Sequence, residues 1–297
     1  MRQAAGSERS PFIAADKPAS LRHEWERDAT LQLRTGKPEA ADTYLAHGRV
    51  ESGTREDMLD LLFDAWLDDT RAGLQSLMIA ADAQTVADLN ARARAHSVAM
   101  GAVADRGVAS ADGNTIGVGD VVVTRLNVRA LSTGRGWVKN GDDWIVRETR
   151  GDGRVRVARV ATGETATLPA DYVKEHLELG YASTAHRAQG RTVDTAHAYV
   201  TATTTREPLY VMATRGRESN RMYVDTTHDP DGATRHSEPE HVHPDEVLRH
   251  VIAATGADSS ATQTRRAEAT AARTPWRIQG QGAAGVVTRE RPGRGPG

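Results

Sequence analysis

Hydrophobic positions in this chain change period several times, and each change marks an element. Leu21, Trp25, Ala29 and Leu31 recur at helical spacing through LRHEWERDATLQLR, and Gly36-Lys37-Pro38 ends that helix before a second one over residues 38–46. In TREDMLDLLFDAWLDDTRAG, Thr54 and Asp57 stand at capping-box spacing, Met58, Leu62, Ala65 and Trp66 share a face, and Gly73 terminates. Residues 76–81 are short, continuous and apolar, as in a strand buried on both faces. Asp82 then caps a long helix with Val86, Leu89 and Ala93 inward. Strand followed by helix predicts a βα unit of a parallel sheet. The same order returns later, with a strand over 196–201, a helix over 207–214 and a strand over 221–225.

Between these halves the period drops to two. From 107 to 176, short β-rich runs at 120–126, 143–148, 154–160 and 164–168 alternate with turns at Gly141-Asp142 and Asp152-Gly153. Short strands without helix predict a small antiparallel barrel inserted into the α/β domain. The ends lack periodicity: residues 1–20 and 276–297 are expected to be disordered, and 229–275 to hold a polar linker and one amphipathic helix over 244–255. The expected order is therefore a lead-in (1–20), the first part of the α/β domain (21–106), the barrel (107–176), the second part (177–228), the linker with its helix (229–275) and a tail (276–297).

Charge is nearly balanced over the 297 residues, with 38 Lys and Arg against 40 Asp and Glu, so any nucleic-acid contact has to be local. The barrel segment supplies such a locality, with Arg125, Arg129, Arg135, Lys139, Arg147, Arg150, Arg154, Arg156 and Arg159 around Trp137 and Trp144. Two readings stand: a surface that tracks a single-stranded backbone and stacks bases, or a solvated barrel exterior with both tryptophans half in the core. Cysteine is absent, which excludes disulfides and thiolate metal sites. His228, His236, His241 and His243 are irregularly spaced in a Pro-containing linker, and no metal site is assigned to them. Apolar runs are short and Met1 is followed by polar residues, so neither a membrane span nor a signal peptide is expected and a cytoplasmic location is the default.

Reactive side chains concentrate in 179–225, in two clusters: Thr184, His186, Gln189, Gly190, Thr192 and Asp194, then Tyr210, Thr214, Arg215 and Arg217. No GxxxxGK[ST] phosphate loop accompanies them. The segments YASTAHRAQGRTVD and LYVMATRGRESNRMYV resemble motifs V and VI of RecD-like superfamily 1 DNA helicases, and specifically the C-terminal helicase part of TraA/TraI-like, MobF-type conjugative relaxase–helicases. The resemblance extends through HEWERDATLQLRTG, SLMIAADAQTVADLNARAR, GVGDVVVTRLNVRAL and LPADYVKEHLELGYA, covering about residues 21–228 and more weakly the helix to about 275.

That resemblance implies a RecA-like domain of the P-loop NTPase type, helicase domain 2A, with an inserted SH3-like barrel, domain 2B. It implies an arginine finger at Arg215, aided by Arg217, that meets the γ-phosphate. It also implies single-strand contacts from Thr184, His186 and Thr192, with Arg135 and Trp137 on the barrel, and a nucleotide side formed by Gln189, Gly190 and Asp194. His197 and Tyr210 are expected to be structural. Ala19 and Ser20 stand where the family usually has an arginine. The family's N-terminal half, with Walker A and B and any relaxase domain, has no counterpart in the chain. The expectation is therefore a C-terminal helicase fragment for 5′→3′ work on single-stranded DNA, truncated or split from its other half. It would be inactive alone, and ATP and Mg²⁺ would enter only with a separate chain carrying the Walker motifs. Alternatives are a non-catalytic single-strand-binding module and an inert remnant.

Overall fold

The computed structural model describes residues 21–227 and 242–256, so the expected disordered ends, the 229–241 linker and His228, His236 and His241 lie outside the described residues. The chain begins with α1 (Glu24–Arg34) and α2 (Glu39–Ala46), followed by β1 (Val50–Gly53), α3 (Arg55–Arg71), β2 (Ser76–Ala80) and α4 (Ala83–Ala99). The helix starts are chemically specified. The Thr54 hydroxyl accepts the Asp57 N–H at 3.2 Å and the Asp82 carboxylate accepts the Thr85 N–H at 2.7 Å.

Next come β3 (Gly107–Ala109), β4 (Thr115–Gly117), β5 (Val121–Thr124), β6 (Val128–Ser132), β7 (Trp137–Val138), β8 (Asp143–Thr149), β9 (Val155–Arg159), β10 (Thr165–Leu168), α5 (Ala170–His176) and β11 (Leu177–Leu179). The chain then returns through β12 (Ala182–Thr184), α6 (Ala185–Ala188), β13 (Val193–Val200), α7 (Arg206–Met212) and β14 (Gly216–Asp225), and α8 (Pro244–Ala253) is the last described element.

Five parallel strands form one sheet in the order β1-β14-β13-β2-β12. Alternation along the strands sends Met78, Ala80, Tyr199 and Tyr223 to a core shared with α3 and α4, and Leu77, Ile79, Ala196, Ala198 and Val224 to a core shared with α1, α2, α7 and α8. The chain is thus mixed α/β with a parallel sheet covered on both faces, as continuous apolar strands demand. β13 and β14 begin earlier than their apolar runs, because pairing starts at Val193 opposite Gly216. β1 carries no apolar signal in VESG; it exists because β14 offers it a ladder on the sheet edge.

The opposite edge strand, β12, is short, and Asn90 of α4 completes it from the side. Its Oδ1 accepts the Ala182 N–H at 2.8 Å and its Nδ2 donates to the Ala182 carbonyl at 3.3 Å.

The inserted strands form an antiparallel sheet in the order β10-β9-β8-β5-β11, with two hairpins, β3-β4 and β6-β7. Among the described residues this ladder is open, with β10 and β11 at its edges, so the expected barrel is not closed by hydrogen bonds. The insertion also differs from the strand-only expectation. Pro169 opens α5, which buries Tyr172 and Val173, and β11 then pairs with β5 so that the sheet reaches past residue 176 to Leu179. Its core holds Trp144, whose indole N–H donates to the Thr124 hydroxyl at 3.2 Å, and runs continuously into the α3–α4 core.

Asp120, fully buried, joins the two sheets. It accepts from Arg94 of α4 at 3.1 Å, from the Tyr181 hydroxyl before β12 at 2.7 Å and from the Gly117 N–H at 2.7 Å. Among the described residues no helix is long and apolar enough to cross a membrane.

Removing one member of a buried charge pair costs about 3 to 5 kcal/mol. Asp120→Ala is therefore expected to lower the unfolding free energy by about that amount in urea titration. Asn90→Ala is expected to cost about 1 to 3 kcal/mol. An Asp120→Ala midpoint equal to wild type would remove this residue from the role.

Candidate functional site

The segment between β12 and β13 must cross β2, and its sequence makes the crossing compact. Thr184 ends β12, and its hydroxyl caps α6 by accepting the Arg187 N–H at 3.3 Å. His186 is exposed on this four-residue helix, and Gln189 closes it. Gly190 then takes φ +82°, which L side chains rarely adopt, and a Cβ there would meet nothing within 4 Å. The glycine is required by the backbone and leaves the approach to the loop open. Gln189, Gly190 and Thr192 form one wall of a polar cleft of about 470 Å³, with Lys139 and Asn140 opposite and Gln75 at its margin. Thr184 and His186 do not line this cleft.

The two arginines of the TRGR segment have opposite environments. Arg215 is 4% exposed: its Nε donates to the Val211 carbonyl at 2.8 Å, Nη1 to the Arg191 carbonyl at 3.2 Å and Nη2 to the Thr214 hydroxyl at 2.7 Å. It fastens the end of α7 to the loop before β13. Arg217 is half exposed and donates to Asp194 at 2.5 Å. Asp194 also accepts the Gln75 N–H at 2.9 Å, and that hydrogen bond, with Arg217 beside it, holds its carboxyl below the usual range.

Gly216 separates the arginines because a Cβ there would lie 2.1 Å from the Ser219 carbonyl oxygen. Its N–H donates to Asn220 Oδ1 at 2.8 Å, while Asn220 Nδ2 donates to buried Glu26 of α1 at 2.9 Å. Burial pushes the Glu26 carboxyl up.

Of the nine basic residues singled out around the tryptophans of the insertion, four are in ion pairs: Arg125 with Glu178, Arg150 with Glu148, Arg154 with Asp152 and Arg159 with Asp142. Arg129, Arg135, Lys139, Arg147 and Arg156 are exposed and have no ion-pair partner among the described residues. Three of these lie on or beside the β6–β7 hairpin. Arg135 is in its turn, and Arg129 and Lys139 lie over the half-buried Trp137 ring at 5.6 and 5.5 Å. Lys139 connects this hairpin to the cleft of Gln189–Thr192. The two tryptophans therefore divide, Trp144 to the core and Trp137 to the basic surface.

His197 and Tyr210 are buried as expected. His197 bridges Asp69 of α3 at 2.8 Å and the Tyr223 hydroxyl at 3.1 Å, and its hydrogen bond lowers the Asp69 carboxyl below its ordinary value. Gln75 and Arg191, absent from the sequence-derived candidates, are brought to the cleft by the tertiary fold. Arg191 is signalled only by its place between Gly190 and the next strand; Gln75 carries no signal. Among the described residues no cluster of three or more His, Asp or Glu could hold a metal ion.

No family model matches the chain. It is 37% identical over 111 residues to the uncharacterized protein MT2373 of Mycobacterium tuberculosis (strain CDC 1551 / Oshkosh), covering 36% of this chain and 62% of that one. It is 31% identical over 207 residues to the probable conjugal transfer protein TraA of Sinorhizobium fredii (strain NBRC 101917 / NGR234), covering 68% of this chain and 18% of TraA. The chain is thus a sequence relative of TraA proteins over most of its length and spans under a fifth of theirs. A crystal structure of Bacteroides Pif1 bound to ssDNA superposes with TM-score 0.49 at 15% identity, over 85% of this chain and 55% of that one.

Because the folded Asp194 carboxyl titrates below its unfolded value, its contribution to stability is present above about pH 4 and is lost as the pH falls through the folded-state value. Asp194→Asn is expected to be less stable than wild type at pH 7, with the gap closing on acidification through this window in thermal melts. A gap that stays constant with pH would contradict the assignment.

Proposed function

We propose that this chain is a DNA-gripping part of a superfamily 1 helicase-related protein of conjugal transfer, and that it handles single-stranded DNA. The observation that carries the reading is the β6–β7 hairpin. A half-exposed Trp137 between Arg129 and Lys139, with Arg135 at the turn, puts a stacking surface among cations that have no ion-pair partner among the described residues. It borders the cleft of Gln189, Gly190 and Thr192 through Lys139. Similarity to TraA across 207 residues supports the conjugal-transfer context, and the likeness of 181–194 and 209–224 to helicase motifs V and VI supports the motor ancestry.

On this reading the parallel sheet corresponds to a second RecA-like domain, 2A, and the antiparallel insertion to an SH3-like 2B. Thr184, His186 and Thr192 serve the phosphate backbone, Gln189, Gly190 and Asp194 the nucleotide side, and the whole assembly moves 5′→3′.

For ATP the fit is one-sided. No phosphate loop occurs in the chain, and Arg215 donates to protein acceptors in this conformation. ATP and Mg²⁺ would therefore be held by a separate chain with the Walker motifs, and no step is assigned to them here. The inward Arg215 equally favours a second reading, a non-catalytic single-strand-binding module with the same hairpin.

Anisotropy titration with a labelled oligothymidylate is expected to show salt-dependent binding. Trp137→Ala should weaken it roughly 5- to 150-fold, as loss of one base stack predicts. Arg135→Ala should weaken it and flatten the salt slope by about 0.7. Absence of binding at low salt would refute both readings. DNA-stimulated ATP hydrolysis by the chain alone, abolished in Arg215→Ala, would refute the dependence on a second chain.

A further inference from the structure

A second cleft, of about 620 Å³, lies between the C-terminal turns of α3 and α4 and the antiparallel sheet, and shares Gln75, Asp143, Val160 and Arg191 with the polar one. Its walls are apolar, built from Trp66, Leu74, Met100, Val103, Ile145 and Val193, and Met100 is 66% exposed. Most of its polar groups are satisfied within the protein. The Trp66 indole donates to the Ser76 carbonyl, the Thr70 hydroxyl to the Trp66 carbonyl, the Ser97 hydroxyl to the Ala93 carbonyl and the Tyr181 hydroxyl to Asp120.

Arg191 and its partner Asp143 are the exceptions. The Arg191 side chain is 8% exposed and its Nη2 forms an ion pair with Asp143 Oδ1 at 2.7 Å, while Nε and Nη1 have no hydrogen-bond acceptor and Asp143 Oδ1 has no hydrogen-bond donor among the described residues. A buried donor without a partner costs about 1 to 3 kcal/mol, more when charged, so this guanidinium favours an incoming anionic acceptor. Burial pushes the Asp143 carboxyl up, which makes it the partner more readily neutralised when another acid approaches.

We propose that this cleft binds a small amphipathic organic acid, with its apolar body between Trp66, Leu74, Met100 and Ile145 and its acid group on Arg191. The volume lies within the usual range for small-molecule sites, and largely apolar walls with a few convergent polar groups are their usual construction. A nucleic-acid backbone does not suit these walls, because its phosphates would lose hydration against apolar side chains. The proposed site does not rest on the DNA-binding reading, although the two clefts adjoin through the shared residues.

The test uses the full chain with anilinonaphthalene sulfonate, its uncharged analogue phenylnaphthylamine, and decanoate as competitor. Saturable sulfonate fluorescence, displaced by decanoate, is expected. Arg191→Met should weaken sulfonate binding about tenfold while leaving phenylnaphthylamine binding within about twofold. Val160→Trp, which fills the cleft from a half-buried position, should abolish both. Far-ultraviolet dichroism and melting temperature establish that each variant is folded. If Arg191→Met does not fold, Val160→Trp decides by itself. Binding that survives Val160→Trp, an equal response of charged and uncharged probes to Arg191→Met, or no saturable binding would each overturn the proposal.

Discussion

A carboxylate removed entirely from water has to be met by donors from several directions, and Asp120 is met by three. Arg94 reaches it from α4, Tyr181 from the residue before β12, and Gly117 from the end of β4. These donors belong to the parallel-sheet layer, to its returning strand and to the insertion. Satisfying one buried charge therefore sets the angle at which the antiparallel sheet leaves and rejoins the α/β body. Both clefts are bounded by surfaces of these two sheets, so their shapes follow from that junction. The continuous core through Trp66, Tyr181 and Trp144 adds area to the contact but little direction, because apolar burial is non-directional.

Charge placement separates the parts that hold the fold from the parts available to a ligand. Arg215, Arg125 and Arg159 are turned to protein acceptors, and in Arg215 all three guanidinium nitrogens donate within the protein. Arg129 and Lys139 lie instead over one aromatic ring, with Arg135 in the adjoining hairpin turn. Near-neutral net charge thus coexists with a local basic surface, since acids are paired off elsewhere on the same sheet. Arg217 lies between these classes, half exposed yet tied to Asp194, whose other oxygen accepts from the Gln75 backbone and so couples the starts of β13 and β2.

The relation to TraA covers a small share of those proteins, and the site has the character of a surface that faces something else. Loop 189–192 and the hairpin offer contacts without a closed pocket between them. The buried Arg215 has a physical consequence for any motor reading: presenting this side chain to a phosphate requires breaking hydrogen bonds to Val211, Arg191 and Thr214. A neighbouring domain would have to supply the compensating interactions.

Much of the α/β body was legible in the chain because its signals are local. Continuous apolar strands, the Thr54 and Asp82 caps and the glycine stops specify their elements through bonds a few residues long. The crowding of reactive residues in 179–225 was equally legible, as was the basic and aromatic content of the insertion. What the sequence left open was decided at long range. The edge strand β1 has no pattern of its own and is induced by β14, and β11 joins the antiparallel sheet because β5 offers an unpaired edge. The barrel suggested by alternation is an open ladder, since alternation reports which face is buried and carries no information on closure. Only packing could separate Arg215 from Arg217 and Trp137 from Trp144, or bring Gln75 and Arg191 to the clefts. The residue types are determined by the sequence, while exposure and partners are set by chain segments tens to hundreds of residues away, which the local pattern does not encode.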